Sequence, residues 1–179
     1  MELRRAQSDK RVWLCFQDEA RFGLKPTYRR VWAPIGQRPT APSRARYQWS
    51  YVFATVHPET GTTHALILPL ANTRTMQLYL ADFAASLPTD VVALLVLDGA
   101  SWHRSPKLLV PDNLRLVFLP PYTPELNPAE HLWPLLREVT ANRAFADIDA
   151  LETCLADRCV WLSQHLDTVS SSTSFRGYR

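Results

Sequence analysis

Cysteine, long apolar runs and, over one stretch, negative charge are what this sequence is short of. Three cysteines, Cys15, Cys154 and Cys159, make an odd count with no Cys-x-x-Cys pair. That argues against a disulfide framework and fits a reducing cytoplasm. A zinc site on Cys154, Cys159 and His165 is disfavoured, because a five-residue cysteine spacing on a helix splays the thiols apart. The longest uninterrupted apolar run, 91–97, is far too short to cross a bilayer. The opening "MELRRAQSDKRVW" has no signal-peptide core. What remains, 179 residues at 46% hydrophobic and 21% charged, suits one globular domain with a real core.

The charge deficit is local. No acidic residue lies between Glu19 and Glu59, whereas Arg21, Lys25, Arg29, Arg30, Arg38, Arg44 and Arg46 do. Aromatics are interleaved with them: Phe22, Tyr28, Trp32, Tyr47, Trp49 and Tyr51. Guanidinium groups bind phosphate bidentately and displace its counterions, so this stretch is a candidate nucleic-acid surface. A plain solvated basic face has the same composition.

Periodicity supplies the elements. "RVWLCFQD" (11–18) reads as a buried strand, and 21–46 as an extended arm or hairpin with Val31-Trp32 its best strand piece. Strands at 49–57 and 63–70 flank the turn signal "PETG" and predict an antiparallel hairpin. Met76, Leu80, Phe83 and Leu87 share one face of a helix capped by the Asn/Thr pair at 72–73. The unalternating run at 91–98 is a strand covered on both sides, and 114–120 is another strand. A helix starts at Pro128, and a last one starts near Asp147 with Ile148, Leu151, Leu155, Leu162 and Leu166 on a stripe. Strands alternating with helices after a hairpin predict an α/β fold, a mixed sheet with helices on both faces. The expected division is an N-terminal remnant or linker at 1–11, a catalytic domain at 12–168, and a flexible polar tail at 169–179.

Three acids occupy suggestive places. Asp18 ends the first strand, and shares a face with Val12, Leu14 and Phe16 where Glu19 does not. Asp98 ends the most apolar strand. Glu130 follows the proline-stiffened loop "PPYTPELNPAEHLW" (120–133). Each has an ordinary explanation: Asp18 ends a strand in water, Asp98-Gly99 is a turn dipeptide, and Glu130 is the N3 acid of a capping box on Asn127. If the first and central strands are neighbours, however, all three converge. Converged carboxylates repel unless a divalent cation such as Mg²⁺ neutralises them. Two such ions about 3.5–4 Å apart are suited to phosphoryl transfer.

"QDEARF", "LDGASWH" and "PPYTPELNPAEHLW" resemble the three acidic motifs of DDE transposases, and "RRVWAPIGQRP" resembles the segment after the first motif. The resemblance is to the mariner superfamily, in particular its bacterial insertion-sequence family 630 branch. It spans residues 12–139 and includes the thirty-two-residue step from Asp98 to Glu130. It implies an RNase H-like fold, catalysis by Asp18, Asp98 and Glu130 with Mg²⁺ or Mn²⁺, and DNA at transposon ends and targets as substrate. It also implies a helix-turn-helix DNA-binding region, which residues 1–11 do not supply, so a separate segment is expected to provide it, with a homodimer as a possible assembly. A related nuclease without transposition and an inactive DNA-binding remnant are the alternatives. Gly99 stands where the family often has Asn, and Pro134 is expected to kink the helix bearing Glu130. His103 matches a family histidine and is a candidate for a DNA contact, for orienting the loop after Asp98, or for plain packing.

Overall fold

The structure is a computed structural model that describes residues 10–40 and 46–174, leaving Arg44 outside the described residues. Five strands form one sheet: β1 (Arg11–Gly23), β2 (Trp49–His57), β3 (Thr62–Leu68), β4 (Val91–Leu97) and β5 (Leu114–Phe118), in the order β3-β2-β1-β4-β5. The first three make an antiparallel meander, and β4 and β5 add parallel to β1. The mixed sheet predicted from the alternation of elements is therefore present. β1 runs five residues beyond the expected 18 because β2 continues to pair with it as far as Gly23↔Trp49.

Among the described residues, four helices cover the two faces: α1 (Thr73–Ser86), α2 (Leu132–Thr140), α3 (Ile148–Gln164) and α4 (Leu166–Thr173). On one face α1 buries Met76, Tyr79, Leu80 and Phe83 against Cys15, Phe53, Ala93, Leu95 and Leu97. On the other, α2, α3 and α4 bury Leu132, Trp133, Leu136, Leu151, Leu155, Leu162 and Val169 over Phe16, Ala20, Val52, Ala54, Val56 and Val96. Each large apolar side chain removed from water contributes about 1.5–3 kcal/mol, so neither layer is dispensable. β4, with six of its seven residues buried, is the strand covered from both sides that its unbroken apolar run predicts. Asn72 caps α1 by accepting from the N–H groups of Arg74 and Thr75.

Three local expectations change. Residues 24–40 form neither strand nor helix, so Val31-Trp32 is not a strand piece. The arm is tied down by Asn142, which accepts from Arg29 N–H at 2.9 Å, donates to the Arg29 carbonyl at 3.0 Å and gives its own N–H to Thr27. The segment expected to be a loose tail from 169 is instead helical to Thr173. Val169 and Thr173 are fully buried, and Ser170 Oγ donates to the Pro58 carbonyl on the β2–β3 turn. Finally, Pro134 falls in the first turn of α2, the part of a helix that tolerates proline.

Candidate active site

Strand register brings the first two acids together. β1 and β4 pair in parallel through Phe16↔Val96, and both side chains belong to the core under α2 and α3. Asp18 and Asp98 each lie two positions further on. The period of two therefore sets Asp18 on that same face, and Asp98 leaves the end of β4 at the same level. By the same alternation Glu19 points to the opposite face. Asp18, the acid preferred from the sequence, is thus the one on the face of Phe16 and Val96.

The third acid is delivered by the proline loop. Leu119 N–H continues the ladder to the Leu97 carbonyl, after which the chain turns back across the strand ends. Asn127 closes this path: its Nδ2 donates to the Gln17 carbonyl at 3.0 Å, next to Asp18, and its Oδ1 accepts from Ala129 N–H at 3.2 Å. Glu130 follows in a short 3₁₀ turn, Pro128–His131, leading into α2. The expected capping box is absent. Asn127 N–H donates to the Pro124 carbonyl instead, so the Glu130 carboxylate is not used as a cap.

Asp18, Asp98 and Glu130 all line one cleft of about 570 Å³, together with Arg104, Asn127 and residues 119–124. Burial pushes the Asp18 carboxyl up to about 7, and nearby Glu130 pushes in the same direction. A hydrogen bond from Trp133 Nε1, 2.8 Å from Asp18 Oδ2, opposes this without cancelling it. Among the described residues no Lys or Arg forms an ion pair with Asp18 or Glu130. Arg104 lies over the Phe118 ring at 4.7 Å. Asp98 is the reverse case: hydrogen bonds from His103 and from Ala100 N–H hold its carboxyl below the usual range against partial burial.

His103 is 2% exposed, which removes it as a DNA contact. It sits between two acids, Nδ1 2.7 Å from Asp98 Oδ1 and Nε2 2.8 Å from Glu19 Oε1. Burial alone would lower its pKa, but the bonds to Asp98 and Glu19 raise it to about 9. Of the basic arm, Arg21, Lys25, Arg29, Arg30, Arg38 and Arg46 are exposed, with Arg21 over the Trp49 ring and Arg46 donating to the Ala146 carbonyl. Trp133, Asn127 and Glu19 are site residues that sequence reasoning did not single out as such. Trp133 carried a signal, since three residues from Glu130 is one helical turn and the same face.

The three carboxylates share the cleft without closing into a single ligand cluster. Among the described residues no group of three or more His, Cys, Asp or Glu side chains forms a set that could hold a metal ion. The sequence reading expects two ions, each taking only one or two of these carboxylates, and so does not require such a set.

A mixed five-stranded sheet with helices on both faces and acids at the ends of its first and central strands is the RNase H-like arrangement of DDE transposase and integrase cores. The chain belongs to the DDE superfamily endonuclease family, whose model matches residues 13–152. It is 45% identical over 106 residues to the protein y4pE/y4sA of Sinorhizobium fredii, covering 59% of this chain and 78% of that one. Its fold is similar to that in the Mos1 mariner paired end complex with Mn (TM-score 0.60, 15% identity, 90% of this chain). It is also similar to a chain of a simian T-cell lymphotropic virus intasome (TM-score 0.53, 14% identity, 80% of this chain). This chain spans 56% of the Mos1 chain and 46% of the intasome chain.

Proposed function

We propose that this domain cleaves DNA at transposon ends and joins the freed end to target DNA, with Asp18, Asp98 and Glu130 as its metal-binding catalytic acids. The observation that carries the reading is Asp18. Its carboxylate is desolvated, faces Glu130 across the cleft and has no basic partner among the described residues. Such a group calls for an external cation. The donors fit a hard divalent ion: all three are carboxylates, and Mg²⁺ needs only one or two of them at each position while keeping waters and substrate phosphate. Pairs of acids are therefore sufficient where a three-ligand cluster is not formed. When bound, Mg²⁺ or Mn²⁺ would supply activation of the attacking oxygen and stabilisation of the leaving one.

The chain's own contribution is positioning. Trp133 orients Asp18, Asn127 fixes the start of the turn that bears Glu130, and His103 with Ala100 N–H holds one oxygen of Asp98. The exposed arginines of the arm are suited to the phosphate backbone. End recognition is assigned to a helix-turn-helix region beyond these elements, and a homodimer would bring two ends together.

The test is incubation with labelled transposon-end duplex and a target plasmid in Mg²⁺ or Mn²⁺, with and without a matching helix-turn-helix protein. End cleavage followed by a joined product supports the proposal. Cleavage without joining would reduce it to a nuclease. No cleavage under any of these conditions would leave only a DNA-binding role.

A further inference from the structure

Asp98 is held from behind. Its Oδ1 accepts from the N–H of Ala100 at 3.0 Å and lies 2.7 Å from His103 Nδ1, which also meets the Asp98 backbone carbonyl at 3.2 Å. These fix the plane of the carboxyl group and leave Oδ2 as the oxygen not engaged by either donor. The side chain is 59% exposed, so without such restraint an aspartate at the end of a strand would rotate freely in solvent.

The restraint has its own support. The His103 side chain is 1% exposed, and its Nε2 meets Glu19 Oε1, whose side chain is 6% exposed. Glu19 does not line the cleft; strand alternation turns it to the far face of β1, away from its neighbour Asp18. An imidazole flanked by two carboxylate oxygens can donate to both when both ring nitrogens carry protons. A carboxylate that holds one nitrogen thereby fixes the tilt of the ring and the donor presented at the other. We infer that Glu19 is a positioning residue that acts through His103 to set which oxygen of Asp98 faces the cleft. β1 thus supplies two acids with different tasks, Asp18 in the cleft and Glu19 behind the other aspartate. The inference rests on the proposed reading of Asp98 as a metal-bearing acid.

The experiment uses the whole chain with ¹⁵N-labelled histidine, and reads the His103 ring N–H resonances by NMR and Mn²⁺ affinity by EPR of the free ion. The parent is expected to give two exchange-protected His103 ring protons, one on each nitrogen. Glu19→Gln should markedly shift the Nδ1 resonance, that of the nitrogen it does not touch, and weaken Mn²⁺ binding about tenfold. Two substitutions at 103 separate positioning from packing. His103→Asn keeps a short amide donor near the Nδ1 position and should retain most of the affinity. His103→Gln reaches toward the Nε2 position instead and should lose as much as Glu19→Gln. A Glu19→Gln protein with the parent's Nδ1 resonance and Mn²⁺ affinity would overturn the inference. Equal losses in both His103 variants, in step with their melting temperatures, would overturn it as well. If the parent shows no Mn²⁺ binding that Asp98→Asn removes, the metal reading fails. The ring resonances of the parent and Glu19→Gln then decide the positioning role alone.

Discussion

At the scale of single residues, the site contains two aspartates held in opposite ways. Asp18 is destabilised as an anion by burial and by Glu130, whereas Asp98 is stabilised by donors. Neutralising each should therefore have opposite effects on the metal-free protein. Asp18→Asn is expected to raise the melting temperature at neutral pH, and Asp98→Asn to lower it by removing the negative charge that His103 and the Ala100 N–H stabilise. The pH dependence follows from the same shift. Burial raises the Asp18 pKa from its ordinary value of 3.8 to about 7, so between these values the folded state holds a proton that the unfolded state has released. Stability must then fall as pH rises across that window, with a slope of at most about 1.4 kcal/mol per pH unit from this group. His103, raised to about 9, contributes stability that is complete below its ordinary value and is lost only as pH rises through the folded one. Thermal melts from pH 4 to 8 on the parent and Asp18→Asn check this. A slope that survives the substitution assigns the effect to another group.

Among the elements, the loop between β5 and α2 carries the greatest structural demand, because it must return Glu130 to the end of β1. Asn127 does this with one hydrogen bond donated and one accepted by its side-chain amide, at a position 4% exposed. Asn127→Ala would leave the Gln17 carbonyl and the Ala129 N–H unpaired in a buried setting, a cost of about 1–3 kcal/mol. It should also release the start of the 3₁₀ turn, so activity is expected to fall further than stability does. A urea titration alongside the cleavage assay measures both, and a variant that is destabilised yet fully active would show that the tie is structural only.

The sequence showed this loop's rigidity and its helix start, because prolines and an Asn-Pro pair act locally. It did not show the partner of Asn127, which is 110 residues away. The same limit separates the other successes from the misses. Asp18 was legible from the period of two along β1, and the α1 face from Met76, Leu80 and Phe83. The Glu19–His103–Asp98 line was not, since it depends on how the turn after β4 folds back under the sheet. The segment 169–173 differs from its expected looseness for a related reason: "VSSST" is polar in composition, but burying only Val169 and Thr173 is enough to dock a short helix.

Over the whole molecule, three carboxylates from distant parts of the chain share one cleft, and exposed arginines lie on the arm that follows β1. The sheet serves mainly to set register, since parallel pairing of β1 with β4 places two acids at one level and the α2 layer closes over them. The central claim is that Asp18, Asp98 and Glu130 work as one metal-dependent site for cutting DNA. Glu130→Gln tests it most directly. The carboxylate is not part of a cap, so this nearly isosteric change should leave stability within about 0.5 kcal/mol, as for a harmless substitution. It removes the charge that a hard divalent cation requires. The decisive measurement is Mg²⁺-dependent nicking of transposon-end duplex by the parent and by Glu130→Gln at matched melting temperatures. The account predicts nicking by the parent and none by the variant. Equal nicking by both would contradict it.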